Sequence, residues 1–413
     1  MNAPHIRKPS LLIVTAAFAA MLMAANLATP LYAVYARQFG FSTVVLALVF
    51  AVYALVLIPG LLLFGQISDR LGRRPAIALG MGLDVVALLL FALADGTAWL
   101  FAARGLLGLA QGMLSGAATA ALAELTAGRK RHAALMATLA QAGGAAAGVL
   151  LCGVLAQWAP WPMVLPYVVG MAACSLLGIV LWLVPETVGH REGAMRLRMP
   201  RVPARIRSPF LRVGLTGASV WSVGALFLSV VPSYAGEQVA HSRNLALLAL
   251  LSSIVLLASF AAQLLLRRGT TPPAATQAVG LILLAVGLAT LVAASPARSV
   301  ALLTAGAVLA GIGHGAALLA AQDALTRIAP ADQRAEVSAA FYVCIYLGVS
   351  LPVIGIGILA DVTTLFTAVA AFAAVTGGGS LGLAVWHLLR GADDARTPQQ
   401  QRISSDLVRG QAR

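Results

Sequence analysis

The chain alternates long apolar runs with short polar turns, and the length of those runs constrains its fold more than any other feature. FAVYALVLIPGLLLF and AIALGMGLDVVALLLFALA, for instance, are separated only by GQISDRLGRRP. A hydrocarbon core about 30 Å thick is crossed by roughly 20 apolar residues of α-helix. Segments of that length fall near 11–36, 43–67, 75–94, 97–124, 131–158 and 162–185, and again near 210–233, 244–266, 274–294, 299–325, 335–359 and 362–389. Backbone amides in hydrocarbon have no water to bind, so only helices or closed barrels span it. The short alternating segments of a barrel are missing from the sequence. The expectation is an all-α polytopic membrane protein with twelve transmembrane helices. Hydrophobic residues make up 60% of the 413 and charged residues 10%, too few charges to wet a soluble surface of that size.

Twelve crossings put both termini on one side, and the basic residues say which. Twenty-four of the 28 lysines and arginines fall on the side of the N-terminus; Arg37, Arg243 and Arg298 lie opposite, and Arg104 lies within a span. Cytoplasmic loops collect Lys and Arg, so both termini are expected in the cytoplasm, in a cell inner membrane or plasma membrane. This asymmetry accounts for the net charge of +14 without a nucleic-acid partner. The N-terminal basic and apolar stretches resemble a signal peptide, but the apolar run continues to Tyr35 and reads as a span. Cys152, Cys174 and Cys344 sit within apolar runs and read as small buried side chains.

The two sets of six spans look like a duplication. RGLLGLAQG at 104–112 and AVLAGIGHG at 307–315 superpose at an offset of 203, which also places Arg131 on Arg334. The expected organisation is a cytoplasmic N-terminus at 1–10, a six-helix bundle at 11–186, a cytoplasmic linker at 187–209, a second six-helix bundle at 210–389, and a cytoplasmic tail at 390–413 that is short, polar and disordered. Parallel halves of six with a site at their interface near the midplane are a transporter architecture.

Gly65, Asp69, Arg70, Gly72, Arg73 and Arg74 match a Gly-x-x-x-Asp-Arg-x-Gly-Arg-Arg pattern between the second and third spans. On this loop the chain resembles the major facilitator superfamily over nearly its whole length, and within it the twelve-span drug:proton antiporter group. RGLLGLAQG is similar to the Arg-x-x-x-Gly-x-x-x-Gly element of proton-linked members. GGAAAGVLLCGVLA partly resembles the antiporter glycine–proline element, departing from it at Val149 and Cys152, and LVPET at 183–187 is a weaker echo. The resemblance implies that Asp69 meets the eleventh span near Glu336 and that Arg73 pairs with Glu124. Gly65, Asp69, Gly72, Arg73 and Glu124 are thus the gating candidates, while Arg70 and Arg74 are expected to mark orientation alone. The alternative is that all these charges only fix topology, since surface ion pairs are worth about 0–1 kcal/mol.

Ionisable residues inside spans are costly and point to function. Arg104 is assigned to proton coupling or the cavity, with outward snorkelling as its alternative. Asp84, about 13 Å into the third span at 1.5 Å per residue, is expected to pair with Arg104 or to carry a proton; a neutral carboxyl bonded to its neighbours is the bland alternative. His314, at the repeat position of Gln111, is the third proton-coupling candidate, against a packing histidine. Asp323 and Asp361 read as water-exposed caps. Asn26, Tyr32, Tyr53, Gln111, Gln141, Trp221, Gln263, Tyr342 and Tyr346 are the substrate-binding candidates, with Tyr35 beside them. Aromatic rings with a few amides suit an amphipathic organic molecule better than a sugar.

The reading is a proton-coupled secondary transporter, a monomer in the lipid bilayer, exporting small hydrophobic or amphipathic compounds. The alternative is a proton-linked carrier of a specific metabolite such as a sugar or organic anion. No P-loop is present to use ATP, and no clustered catalytic groups suggest an enzyme; no cofactor or metal is expected.

Overall fold

The computed structural model describes residues 8–64, 71–126, 130–187, 200–266, 272–330 and 333–410. Among the described residues no strand occurs, and twelve helices are long and apolar enough to cross a membrane. Spans 1 to 6 are Pro9–Phe39, Thr43–Leu63, Arg73–Ala92, Thr97–Leu125, Leu135–Trp158 and Leu165–Leu183. Spans 7 to 12 are Ala204–Ser229, Leu245–Leu266, Pro273–Ala294, Val300–Ile328, Glu336–Val362 and Leu365–Leu389. The chain is thus a multi-pass membrane protein. We call the end of the bundle carrying Gly72, Glu124 and Leu266 the terminal end, because both termini share it, and the opposite end the far end.

Two expectations need correction. Span 1 is not one continuous helix: it breaks after Asn26, makes a 3-10 turn at Thr29–Leu31 and resumes at Tyr32–Phe39. Pro30 lacks the amide that a continuing helix needs, so the chain restarts there. Span 7 breaks in the same place, at Val230 before Pro232; the pair of breaks is a mark of duplication hidden in the sequence. The tail, expected to be disordered, continues the last helix, which runs Leu365–Gly410. It does so through Gly391 and Pro398, residues that disfavour a helix interior, so helix propensity does not explain the extension.

The repeated glycines explain how the halves are built. Helices in lipid gain no hydrophobic drive from meeting, so small residues that allow close backbone approach set their contacts. A Cβ on Gly108 would lie 2.3 Å from the Tyr53 carbonyl, and one on Gly311 would lie 2.6 Å from the Val255 carbonyl. Gly112 lies against Gly60, and Gly315 against Ser259, at similar closeness. Span 4 therefore packs on span 2 as span 10 packs on span 8. The two halves join through spans 2 and 11 and through spans 5 and 8. There Gly357 meets Thr43 and Ala47, and Gly153 meets Leu245 and Ala249.

Candidate functional site

The turn before span 3 is held from within the first half. Gly72 has φ 97°, a region glycine enters without the steric cost of a Cβ. A Cβ there would also lie 2.5 Å from Oε2 of Glu186. The Glu186 carboxylate accepts from the backbone amides of Arg73 (2.8 Å) and Arg74 (3.1 Å). It caps the positive N-terminus of span 3, whose own cap position carries no side chain. Arg73 reaches Glu124 at 3.2 Å, and the other Glu124 oxygen accepts from the Thr187 hydroxyl. Gly72, Arg73 and Glu124 therefore share one network, with Glu186 and Thr187 as members the sequence reading passed over. Their signal was the acid in LVPET, which lies far off in sequence and becomes a cap only once spans 3 and 6 are side by side. Gly65 and Asp69, with Arg70, lie outside the described residues. Arg74 does more than mark orientation: it donates to the carbonyls of Trp182 and Val184 and its guanidinium lies 4.6 Å from the Trp182 ring centre. The last carbonyls of span 6 are left without helical partners, and a cation satisfies them.

Deeper in the same half, Arg104 is 3% exposed. Its guanidinium carbon lies 4.6 Å from the ring centre of Tyr53, 5.0 Å from Phe50 and 5.7 Å from Tyr32. Nη1 donates to the carbonyl of Ala25 (2.9 Å) and Nη2 to that of Phe50 (3.5 Å), whereas Nε has no acceptor. Snorkelling is thus replaced by an aromatic box. The expected pair with Asp84 is not formed. Asp84 is fully buried with neither oxygen bonded, so the bland alternative of a carboxyl bonded to its neighbours is not formed either. Span 3 packs on spans 4, 6 and 1, and Asp84 and Arg104 both act electrostatically on Tyr53, yet the Arg104 guanidinium is taken by groups of spans 1 and 2.

Of the substrate candidates in this half, Tyr32 and Tyr53 line the box. Gln111 instead donates its amide to the Met21 carbonyl (3.0 Å), and Asn26 donates to its own helix at Leu22 (2.8 Å). The Gln111 amide ties span 4 to span 1, while the Asn26 amide is spent within span 1. Gln141 stands exposed on a π-helical turn, Leu139–Gly143, within span 5. Tyr35 is a packing residue, bonded to Tyr167 and to the Phe91 carbonyl.

The second half brings its candidates together. The Trp221 ring lies 6.2 Å from both His314 and Tyr346, and Tyr346 lies 6.4 Å from a stacked Tyr342. His314 Nδ1 is 2.9 Å from the Ser259 hydroxyl, which accepts from Gln263 at 3.2 Å. Four spans thus contribute to one aromatic and polar cluster, and Ser259 is the member that sequence reasoning missed. Trp221 and Tyr346 pack onto the same buried cluster as Tyr53 of the first half, which sets the cluster at the junction of the halves. The apolar cleft of about 310 Å³ between spans 7 and 11, lined by Leu211, Leu215, Leu347 and Leu351, is elsewhere. Those leucines are exposed on the outside of the bundle, where lipid lies.

At the far end the halves are joined by two caps. Asp361 of span 11 accepts from the amides of Thr43 (2.9 Å) and Val44 (3.3 Å) at the start of span 2. Gln157 of span 5 accepts from the amide of Leu245 (2.8 Å) at the start of span 8. Each half thus supplies one acceptor to a helix N-terminus of the other. Asp361 is a cap, as its position suggested, but for a helix of the opposite half.

Residues 13–353 match the Major Facilitator Superfamily. A search of curated proteins returns no match. Among solved structures, the chain is similar to a peptide transporter POT in complex with sulfate, at 14% identity and TM-score 0.77, covering 94% of this chain and 95% of that one. It is also similar to a POT family transporter in complex with 5-aminolevulinic acid, at 13% identity and TM-score 0.75, covering 93% and 96%. A bacterial homolog to the human lysosomal transporter Spinster, inward-facing and unoccupied, matches at 18% identity and TM-score 0.67, covering 95% and 96%. At these identities the likeness is one of fold.

Proposed function

The chain belongs to the Major Facilitator Superfamily, and within it we propose a proton-coupled secondary transporter that exports small hydrophobic or amphipathic organic molecules by alternating access. The observation that carries this reading is the cluster of Trp221, Tyr342 and Tyr346 at the junction of the halves, with only His314, Ser259 and Gln263 as polar company. Large rings offer apolar area with few directional bonds, which suits varied amphipathic molecules and lacks the polar groups a sugar needs. The protein acts as a monomer in the cell membrane, with its basic terminal end in the cytoplasm. Asp84, Arg104 and His314 are the groups proposed to couple the proton: each is ionisable and buried within a span, where a change of charge carries a large free-energy difference. Gly65, Asp69, Gly72, Arg73 and Glu124 are proposed to gate the cytoplasmic end.

Reconstituted vesicles with an imposed pH gradient test the reading. Movement of a fluorescent amphiphile should follow the gradient and stop when it is collapsed by an ionophore. Movement indifferent to the gradient removes proton coupling, and no movement of any amphiphile removes the amphiphile cargo.

A further inference from the structure

Arg104 is a buried guanidinium without a counter-charge: among the described residues no carboxylate pairs with it. Isolated charge is unfavourable away from water. Three ring faces and two carbonyls offset part of that, but Nε–H is left without an acceptor. Beside it the Tyr32 hydroxyl also lacks a partner, and on the facing half so does the indole N–H of Trp221. All three orphaned groups can donate a hydrogen bond, the Tyr32 hydroxyl accepting as well. The buried carboxyl without a partner in this half, Asp84, lies on span 3 within electrostatic reach of Tyr53, but neither of its oxygens bonds Arg104 or any junction residue. The residues at the junction, Tyr53, Trp221, Ser259, Gln263, His314 and Tyr346, include no acid. In a low dielectric the field of a charge without an ion-pair partner extends over many ångströms, so Arg104 biases its side of the junction positive.

We infer that the cargo is an amphipathic organic anion, such as an aryl carboxylate, whose apolar body lies on Trp221 and Tyr346 and whose carboxylate is drawn to the Arg104 side. This rests on the transport reading and narrows it: a cationic amphiphile meets no acid here and is repelled by Arg104.

Isothermal titration of the full-length protein in detergent with three isosteric probes tests it: 2-naphthoate, its primary amide 2-naphthamide, and 2-naphthylmethylammonium. The carboxylate should bind at least tenfold more tightly than the amide, and the ammonium should not bind. Arg104→Gln should bring carboxylate and amide to equal affinity. Tyr32→Phe, which keeps the ring and removes only the orphaned hydroxyl, should weaken the carboxylate several-fold and leave the amide nearly unchanged. A carboxylate preference that survives in Arg104→Gln overturns the assignment, as does wild-type protein binding the amide or ammonium as well as the carboxylate. In that last case the amphiphile reading stands and only the anion falls; when none of the three binds, both fall.

Discussion

At the residue scale, single atoms decide the terminal-end turn. Gly72 joins a positive φ to a space already filled by the Glu186 carboxylate. Gly72→Ala should therefore lower stability by about 1–3 kcal/mol from backbone strain and a displaced cap, read as a fall in thermal midpoint in detergent. Glu186→Ala removes the cap alone and should cost about 1 kcal/mol. An unchanged midpoint in Gly72→Ala would show that the turn adopts another conformation at no cost. The pattern of loop glycines and arginines was legible in the sequence, whereas the acid that answers it was not, because 113 residues separate Arg73 from Glu186. Arg74 carries the same lesson. Its charge is visible in the sequence, but its two carbonyl partners and the Trp182 ring come from span 6.

At the element scale, helix ends and glycine faces set which spans touch. The far-end caps join halves through amides that a helix leaves unpaired in its first turn. Asp361→Asn weakens the charged cap by about 0.3–1 kcal/mol, enough to raise the population open at that end about two- to fivefold. Gln157→Leu should act in the same direction at the other contact, and the double variant should open further. Labelling of a cysteine introduced at Ser229, buried next to spans 2 and 11, reports the opening; equal labelling in all variants removes the latch. The glycine faces make a separate prediction. Gly108→Leu and Gly311→Leu both drive side chains into backbone at 2.3 and 2.6 Å. Each should cost at least about 2 kcal/mol by overpacking, with similar losses of folded protein by size-exclusion chromatography, because the two contacts are copies of one another.

At the scale of the whole molecule, alternating access asks the halves to separate at one end while they close at the other. The structure joins them at the far end through Asp361 and Gln157. The Arg73–Glu124 pair, in contrast, lies wholly within the first half. Its proposed part in gating is therefore to hold the start of span 3 in place against spans 4 and 6. Arg73→Ala and Glu124→Gln should each change stability by about 1 kcal/mol, as for a half-buried pair near the surface, yet reduce vesicle transport to background; Asp69→Asn should do likewise with expression intact. Wild-type transport in these variants would sink the gating proposal.

The sequence by itself determined the helical membrane class, the twelve crossings and the twofold repeat. Each follows from local physics: the length of an apolar run against the thickness of hydrocarbon, and the recurrence of glycine at helix-contact spacing. The aromatic residues of the second-half site were legible too, as large rings in spans with few polar groups. Only tertiary structure decided which buried polar atoms find partners. Gln111 and Asn26 were plausible cavity amides until span 1 took their bonds. Asp84 and Arg104 were a plausible pair until the Arg104 guanidinium was taken by the rings and carbonyls of spans 1 and 2 and the Asp84 oxygens were left unbonded. A charge in the sequence carries a sign but no neighbour, and in hydrocarbon the neighbour decides whether that charge caps a helix, stacks in a box or waits for a ligand.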